Sequence, residues 1–331
     1  MLVDKDNQTL QTASMLIGKQ ADKLAEHLAG LDKTEDIEPL HQTRVACRRL
    51  REALVFFADC FEPAYLDEWK KETKKLLRQL GEPRDLDVQI LFLEQFVAEL
   101  DPAHRGVFPG IKRLLLRQKQ SRQRNQKRII AAEKRFQKKH VLINLRLQME
   151  KTLYLSENYP SIKNKEELLS RLLKQVSPRL KDVQEQQVCI DNPQDTEKHH
   201  KLRIAIKKLR YTAEIGNAVL SGALTTYLES LKEAQTLLGE LHDCDVWLET
   251  IRVFEKEEKK RMLDYAGHTR AFARLRPGLE YFCQDRMALR QKRYDEAAAL
   301  IARWRESPFL QQLIEIIEQA NNEPSETKTE L

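Results

Sequence analysis

Two stretches of this 331-residue chain carry residues that can do chemistry together: His41-Gln-Thr-Arg44-Val-Ala-Cys-Arg48-Arg49-Leu-Arg51 and His200-Lys-Leu-Arg203-Ile-Ala-Ile-Lys207-Lys208-Leu-Arg210. At about 100° per residue, His41, Arg44, Arg48 and Arg51 fall within roughly 80° of one another, and Cys47, Leu50 and Leu54 lie opposite. The spacing predicts a helix with an apolar back and a cationic front. His200, Arg203, Lys207 and Arg210 occupy identical angles, whereas Arg49 and Lys208 fall off the stripe in both copies. Cations at i, i+3, i+7 and i+10 offer about one contact per helical turn. That suits a linear polyanion of closely spaced phosphates, with Arg as a bidentate fork and Lys as a point charge. The plain alternative is a solvated charged face, and duplication at the same angles weighs against it. Each histidine sits in a first turn, where the helix dipole favours the neutral ring. Each either orients the bundle through a neighbour or donates to phosphate oxygen, in which case binding tightens as the pH falls toward 6.

A second motif follows each stripe. Leu80-Gly81-Glu82-Pro83-Arg84-Asp85-Leu86-Asp87-Val88 recurs as Leu238-Gly239-Glu240-Leu-His242-Asp243-Cys-Asp245-Val246, at an offset of 158 residues against 159 for the stripes. Two landmarks whose offsets agree to within one residue indicate a tandem duplication. Arg122 to Leu145 also matches Arg290 to Leu313 at an offset of 168, with about ten extra residues near 262–276. Asp85, Asp87, Asp243 and Asp245 can cap the next helix, buttress arginines or hold a metal, and the first two roles are favoured. His199 and His200 with His242 and Asp243 suggest a metallophosphohydrolase, but Arg84 stands where the second copy has His242, and guanidinium does not ligate metal. His242, mostly uncharged at neutral pH, is a doubtful phosphate contact.

Other cations join as candidates. Arg122 and its counterpart Arg290 lie on an otherwise apolar face and need partners; both are expected to point into a groove. Lys74 and Lys232 are equivalent, and Arg78 and Arg84 complete the set. Arg113, Arg117, Arg124, Arg128 and Arg135 align within about 60°. Asp285 and Glu296 replace two of these in the second copy, so the row is either ordinary surface or a private anion patch. Tyr211 falls on the second stripe where the first has Glu52, and Trp69, Trp247 and Trp304 read as core.

The elements that must position these residues are helices. Charged residues make up 33% of the chain, only 10 glycines occur, and good helix formers dominate, which predicts an all-α protein. The net charge of +6 includes 51 acidic residues, so any anion preference depends on where the cations sit. Five cysteines without a CxxC pair suit reduced thiols in a cytosol. With Asp4 and Asp6 and no continuous apolar run, the N-terminal residues are not expected to be a secretory signal, and no run of 18 apolar residues occurs. Helices are expected over 8–29, from a cap at Asp36 to about Cys60, then 64–80, 85–100, 111–139 and on to 155. After a polar stretch from Ser156 to Lys165 the order restarts with 166–186 and 196–220. The halves, 8–155 and 166–319, are expected to pack about a pseudo-twofold axis with their basic helices facing each other, as one domain over 1–331. Residues 320–331 read as a disordered tail.

The doubled His-x-x-Arg stripe, followed each time by Leu-Gly-x-x-Arg/His-Asp-x-Asp-Val, resembles the CHAD family, the conserved histidine α-helical domain, from about residue 10 to 315. The resemblance implies a bundle of two four-helix-like repeats around a central basic groove or pore that binds inorganic polyphosphate. Family histidines fall on His41 and His200, and basic positions on Arg44, Arg48, Arg49 and Arg51 and on Arg203, Lys207, Lys208 and Arg210. Members stand alone or are joined to a triphosphate-processing domain; nothing here resembles the latter, so the stand-alone kind is expected. The reading is a non-enzymatic polyphosphate binder without a cofactor, in the cytoplasm or on polyphosphate granules. The competing readings are a polyphosphate or triphosphate phosphohydrolase and a nucleic-acid binder, the latter lacking a recognition helix or aromatic platform.

Overall fold

A computed structural model describes residues 7–32, 36–101, 103, 106, 108–158 and 165–322, and its described residues form eleven α-helices and no strand. The first half contributes α1 (Asn7–Leu28), α2 (Glu38–Phe56), α3 (Pro63–Gln79), α4 (Gly81–Glu99), α5 (Phe108–Gln137) and α6 (Val141–Asn158). The second contributes α7 (Lys165–Gln186), α8 (Thr196–Val219), α9 (Thr225–Ala266), α10 (Arg276–Glu306) and α11 (Phe309–Asn322). Each half therefore holds more helix than a four-helix unit. The expected disordered tail begins inside α11, and residues 323–331 lie outside the described part, as do 159–164 of the polar stretch between the halves. Among the described residues, no helix is long and apolar enough to cross a membrane.

Local sequence explains where the halves differ. Pro83 has no N–H to give to the carbonyl four residues back, so the chain breaks at Leu80 and restarts at Gly81, with proline tolerated in the new first turn. The equivalent position is Leu241, and there the helix runs on, fusing the counterparts of α3 and α4 into the 42 residues of α9. This corrects the expected helix start at Asp85. Asp85 and Asp87 lie inside α4, and Asp243 and Asp245 lie mid-helix in α9, so none of the four caps a helix. Asp36 does serve an entry, accepting from the Glu38 N–H at 2.9 Å.

Two cores form, and both draw on both halves. The larger runs from Leu10, Leu24, Leu50 and Trp69 through Leu172, Leu209, Leu238 and Trp304 to Ile317. The smaller joins Leu93, Ile111 and Leu114 to Trp247, Phe254, Leu279 and Phe282. Leu80 and Leu241 belong to the first core, Leu93 and Trp247 to the second, so the aspartate motifs occupy the waist between them. Neither half has a core of its own. All three tryptophans are core residues, as their spacing predicted.

Gly110 fixes the start of α5 against α10, since a Cβ there would lie 2.1 Å from the Leu275 carbonyl oxygen. Gly110→Ala is expected to cost roughly 1–3 kcal/mol through forced backbone movement, read by denaturant unfolding. Gly18→Ala, in α1 with nothing within 4 Å of the added methyl, is expected to be neutral or stabilising by up to about 1 kcal/mol.

Candidate functional site

The basic helices α2 and α8 pack against each other. Their backs are sealed by Cys47, Leu50 and Leu54 on one side and Leu202, Ile206 and Leu209 on the other. On the fronts, His41, Arg44, Arg48 and Arg51 are half-buried, as are His200, Arg203, Lys207 and Arg210. The rows are close enough to repel: burial pushes the Lys207 ammonium down to about 8, and Arg48 of the opposite helix, then Arg203, add to the effect. Carboxylates tie the same contact together. Arg49 reaches Glu214 across the interface at 3.6 Å, and Arg179 of α7 reaches Glu52 at 3.6 Å. Arg49 is thus a clamp between halves, while Lys208 is exposed, in keeping with their place off the stripe.

The second cation of each row lies over the motif glycine. Arg44 donates Nη1–H to the Leu77 carbonyl at 2.8 Å, and its guanidinium lies over Gly81, 3.5 Å from where a Cβ would stand. Arg203 lies over Gly239 at 3.6 Å by the same measure. The motif glycine therefore offers bare helix backbone to the second cation of each stripe, a role that the sequence reading missed. The repetition of Leu-Gly at one offset from Arg was the signal that could have found it.

The aspartates divide into two kinds. Asp87 accepts from Arg122 Nε at 2.5 Å, and Asp245 accepts from Arg290 Nε at 2.6 Å. These arginine side chains are only 13% and 12% exposed. Arg122 is held further by Gln126, and Arg290 by the Pro193 carbonyl. Both arginines thus pair with the waist aspartates instead of presenting free forks to a groove, which corrects that expectation and gives the motif's second aspartate its buttressing task. Asp85 and Asp243 behave differently. Both keep solvent exposure, yet surrounding protein withdraws enough water to raise both carboxyls above the usual range. Arg44, Arg48, Arg84 and Arg203 oppose the rise at Asp85, and Arg203 opposes it at Asp243, where Asp85 itself contributes to it. The two halves' carboxylates and cations therefore share one electrostatic neighbourhood.

Burial lowers the pKa of both stripe histidines, with Arg84 the next cause at His41 and Arg203 at His200. The pH at which they charge falls below 6.5, shifting the expected tightening to more acid conditions. His242 lies against His200 with ring centres 4.3 Å apart and the rings tilted by 41°, and burial followed by that neighbour drives it down to about 4, so at neutral pH it is uncharged. His199 is buried with Nε2 at 3.1 Å from the Cys189 carbonyl, so it belongs to the core. Among the described residues, no group of three or more His, Cys, Asp or Glu side chains is placed to hold a metal.

Most other cations are engaged locally. Arg113 and Arg117 both grip the fully buried Glu258, at 2.6 and 2.8 Å, holding its carboxyl down to about 2. Arg128 pairs with Glu82 at 3.0 Å and Arg135 with Glu72 at 3.5 Å, while Arg124 bonds the Gln120 carbonyl and Ser121. The long-helix row is largely internal ion pairing. Arg210 bonds Gln235 at 2.9 Å, pairs with Glu214 and lies 4.7 Å from the Tyr211 ring. Lys74, Arg78 and Lys232 are exposed. Arg51 Nε, Arg203 Nε and His200 Nδ1 are buried polar atoms without a hydrogen-bond partner among the described residues.

A family model, the CHAD domain, matches residues 15–252. Among solved structures, the crystal structure of the CHAD domain from the plant Ricinus communis superposes with a TM-score of 0.61 at 19% identity, covering 88% of this chain and 91% of that one. PptA from Streptomyces chartreusis superposes with a TM-score of 0.50 at 13% identity, covering 88% of this chain and 100% of that one. No curated protein matches the sequence. The family model takes in both stripes and both aspartate motifs, and the helical architecture extends the likeness beyond it: the chain belongs to the CHAD-domain family.

Proposed function

We propose that this protein binds inorganic polyphosphate, without hydrolysing it, where α2 and α8 meet, and so recruits or stores the polymer or carries the chain to polyphosphate granules in the cytoplasm. The observation that carries this reading is the crowding of two half-buried cationic rows in which Arg51 Nε and Arg203 Nε are buried without a hydrogen-bond partner among the described residues. Buried donors ordinarily find acceptors, and a chain of phosphates supplies both acceptors and compensating charge. His41, Arg44, Arg48, Arg51, Arg84, His200, Arg203 and Lys207 form the working set. Asp87 and Asp245 support the waist through Arg122 and Arg290.

Membership of the family alone leaves hydrolysis open, and the residues speak against it: both second aspartates of the motif are committed to arginines, and His199 is committed to the core. Sustained phosphate release with added divalent metal would displace the binding reading. Equal competition by RNA at matched phosphate concentration would remove polyphosphate specificity.

Charge reversal in Arg48→Glu with Lys207→Glu is expected to weaken polyphosphate binding by about 100-fold or more, given roughly 1.5–3 kcal/mol per charged hydrogen bond. Helicity by circular dichroism should be unchanged; retained affinity would reject the assignment of the rows. Lys207→Met tests the strain of the apo state. A lysine whose folded pKa is about 8, below an unfolded value near 10.4, destabilises the fold fully below pH 8, and the penalty fades as pH rises toward 10.4. The variant is expected to melt about 2–4 °C above wild type at pH 7, with the gap closing by pH 10, while binding polyphosphate less tightly.

A further inference from the structure

The halves differ sharply in charge on one flank. Beside Arg51, α3 borders an open depression of about 700 Å³ lined by Arg51, Lys70, Lys71, Lys74, Lys75 and Arg78 together with Leu77. Among the described residues, no carboxylate lines it. Glu72, buried beneath, accepts from Lys75 at 2.6 Å and faces Arg135 at 3.5 Å, so it anchors one lysine without covering the others. At the 158-residue offset the second half has Leu228 for Lys70, Glu229 for Lys71, Lys232 for Lys74, Glu233 for Lys75 and Thr236 for Arg78. One cation survives and two positions have become acidic. Arg51 itself differs from its counterpart: its Nε is buried without a partner among the described residues, whereas Arg210 is taken up by Gln235, Glu214 and Tyr211.

The depression is continuous with the paired rows. Arg51 belongs to both, and Leu77, on its wall, lends its carbonyl to Arg44. At 1.5 Å per residue, His41 to Arg51 spans about 15 Å of α2, and Lys70 to Arg78 adds about 12 Å of α3. We propose that α3 carries a second, one-sided anion well that takes the overhanging phosphates of a polymer too long for the α2–α8 rows. Bound polyphosphate then lies off-centre, extending over the first half only, and chain length is discriminated on that flank. This rests on the polyphosphate reading above.

The test uses the full chain and two ligands, tripolyphosphate and a polyphosphate many times longer, titrated calorimetrically over a range of salt. Lys71→Gln with Lys74→Gln and Arg78→Gln changes only exposed side chains. The triple variant is expected to lose about tenfold in affinity for the long polymer, and its slope of log affinity on log salt to fall by roughly 2, at about 0.7 per phosphate contact on a single strand. Its affinity for tripolyphosphate stays within about twofold of wild type. Glu229→Lys with Glu233→Lys, which places lysine at two exposed positions of the second flank matching Lys71 and Lys75, raises affinity for the long polymer. Equal losses for both ligands, or none for either, overturn the one-sided well while leaving the polyphosphate reading intact; failure of wild type to bind either ligand defeats both.

Discussion

Cations pressed together across the α2–α8 contact set the terms for the rest of the molecule. Arg48, Arg203 and Lys207 repel one another in a place where burial removes much of the water that would screen them. Like charge on that surface opposes the pairing of the two helices. It is held from behind by apolar backs and from the sides by Arg49–Glu214 and Arg179–Glu52, each of which joins one half of the chain to the other. Concentrated positive charge is maintained because the surrounding helices leave it nowhere to spread.

Sharing both cores between the halves is what makes that confinement firm. Had each half folded round its own core, the basic helices would have met across an ordinary domain interface and could have relaxed apart. Instead the larger core passes under both rows, and the smaller one closes the far side of the waist with Leu93, Ile111, Trp247 and Phe282. Asp87 and Asp245 then serve a structural end, fixing α5 and α10 to the waist through Arg122 and Arg290. Asp85 and Asp243, two residues earlier, remain among the cations and moderate their repulsion.

The all-helical fold and the two rows were legible because they depend on period and repetition, which a linear sequence displays directly. Angle on a wheel says which way a side chain points but not what meets it. Arg113 and Arg117 therefore read as a free stripe, although their partner Glu258 lies 145 and 141 residues away. The same limit applied to Arg122, whose aspartate is 35 residues distant on another helix. The helix start after Leu80 was placed four residues late, at Asp85 instead of Gly81, for a different reason. The expected gap over 81–84 took Pro83 for a residue outside any helix, whereas proline fits a first turn, and Pro83 against Leu241 decides whether a boundary exists at all.

That difference makes the two halves mechanically unlike. At 1.5 Å per residue, the 42 residues of α9 form a strut about 63 Å long, jointless from the first core through the waist to its far end at Gly267. The matching path in the first half is articulated at Leu80–Gly81. A displacement at the tip of α9 is thus carried along one unbroken helix toward Gly239 and the arginine lying on it, whereas in the first half the turn at Leu80–Gly81 stands between α4 and the α3 carbonyl that holds Arg44.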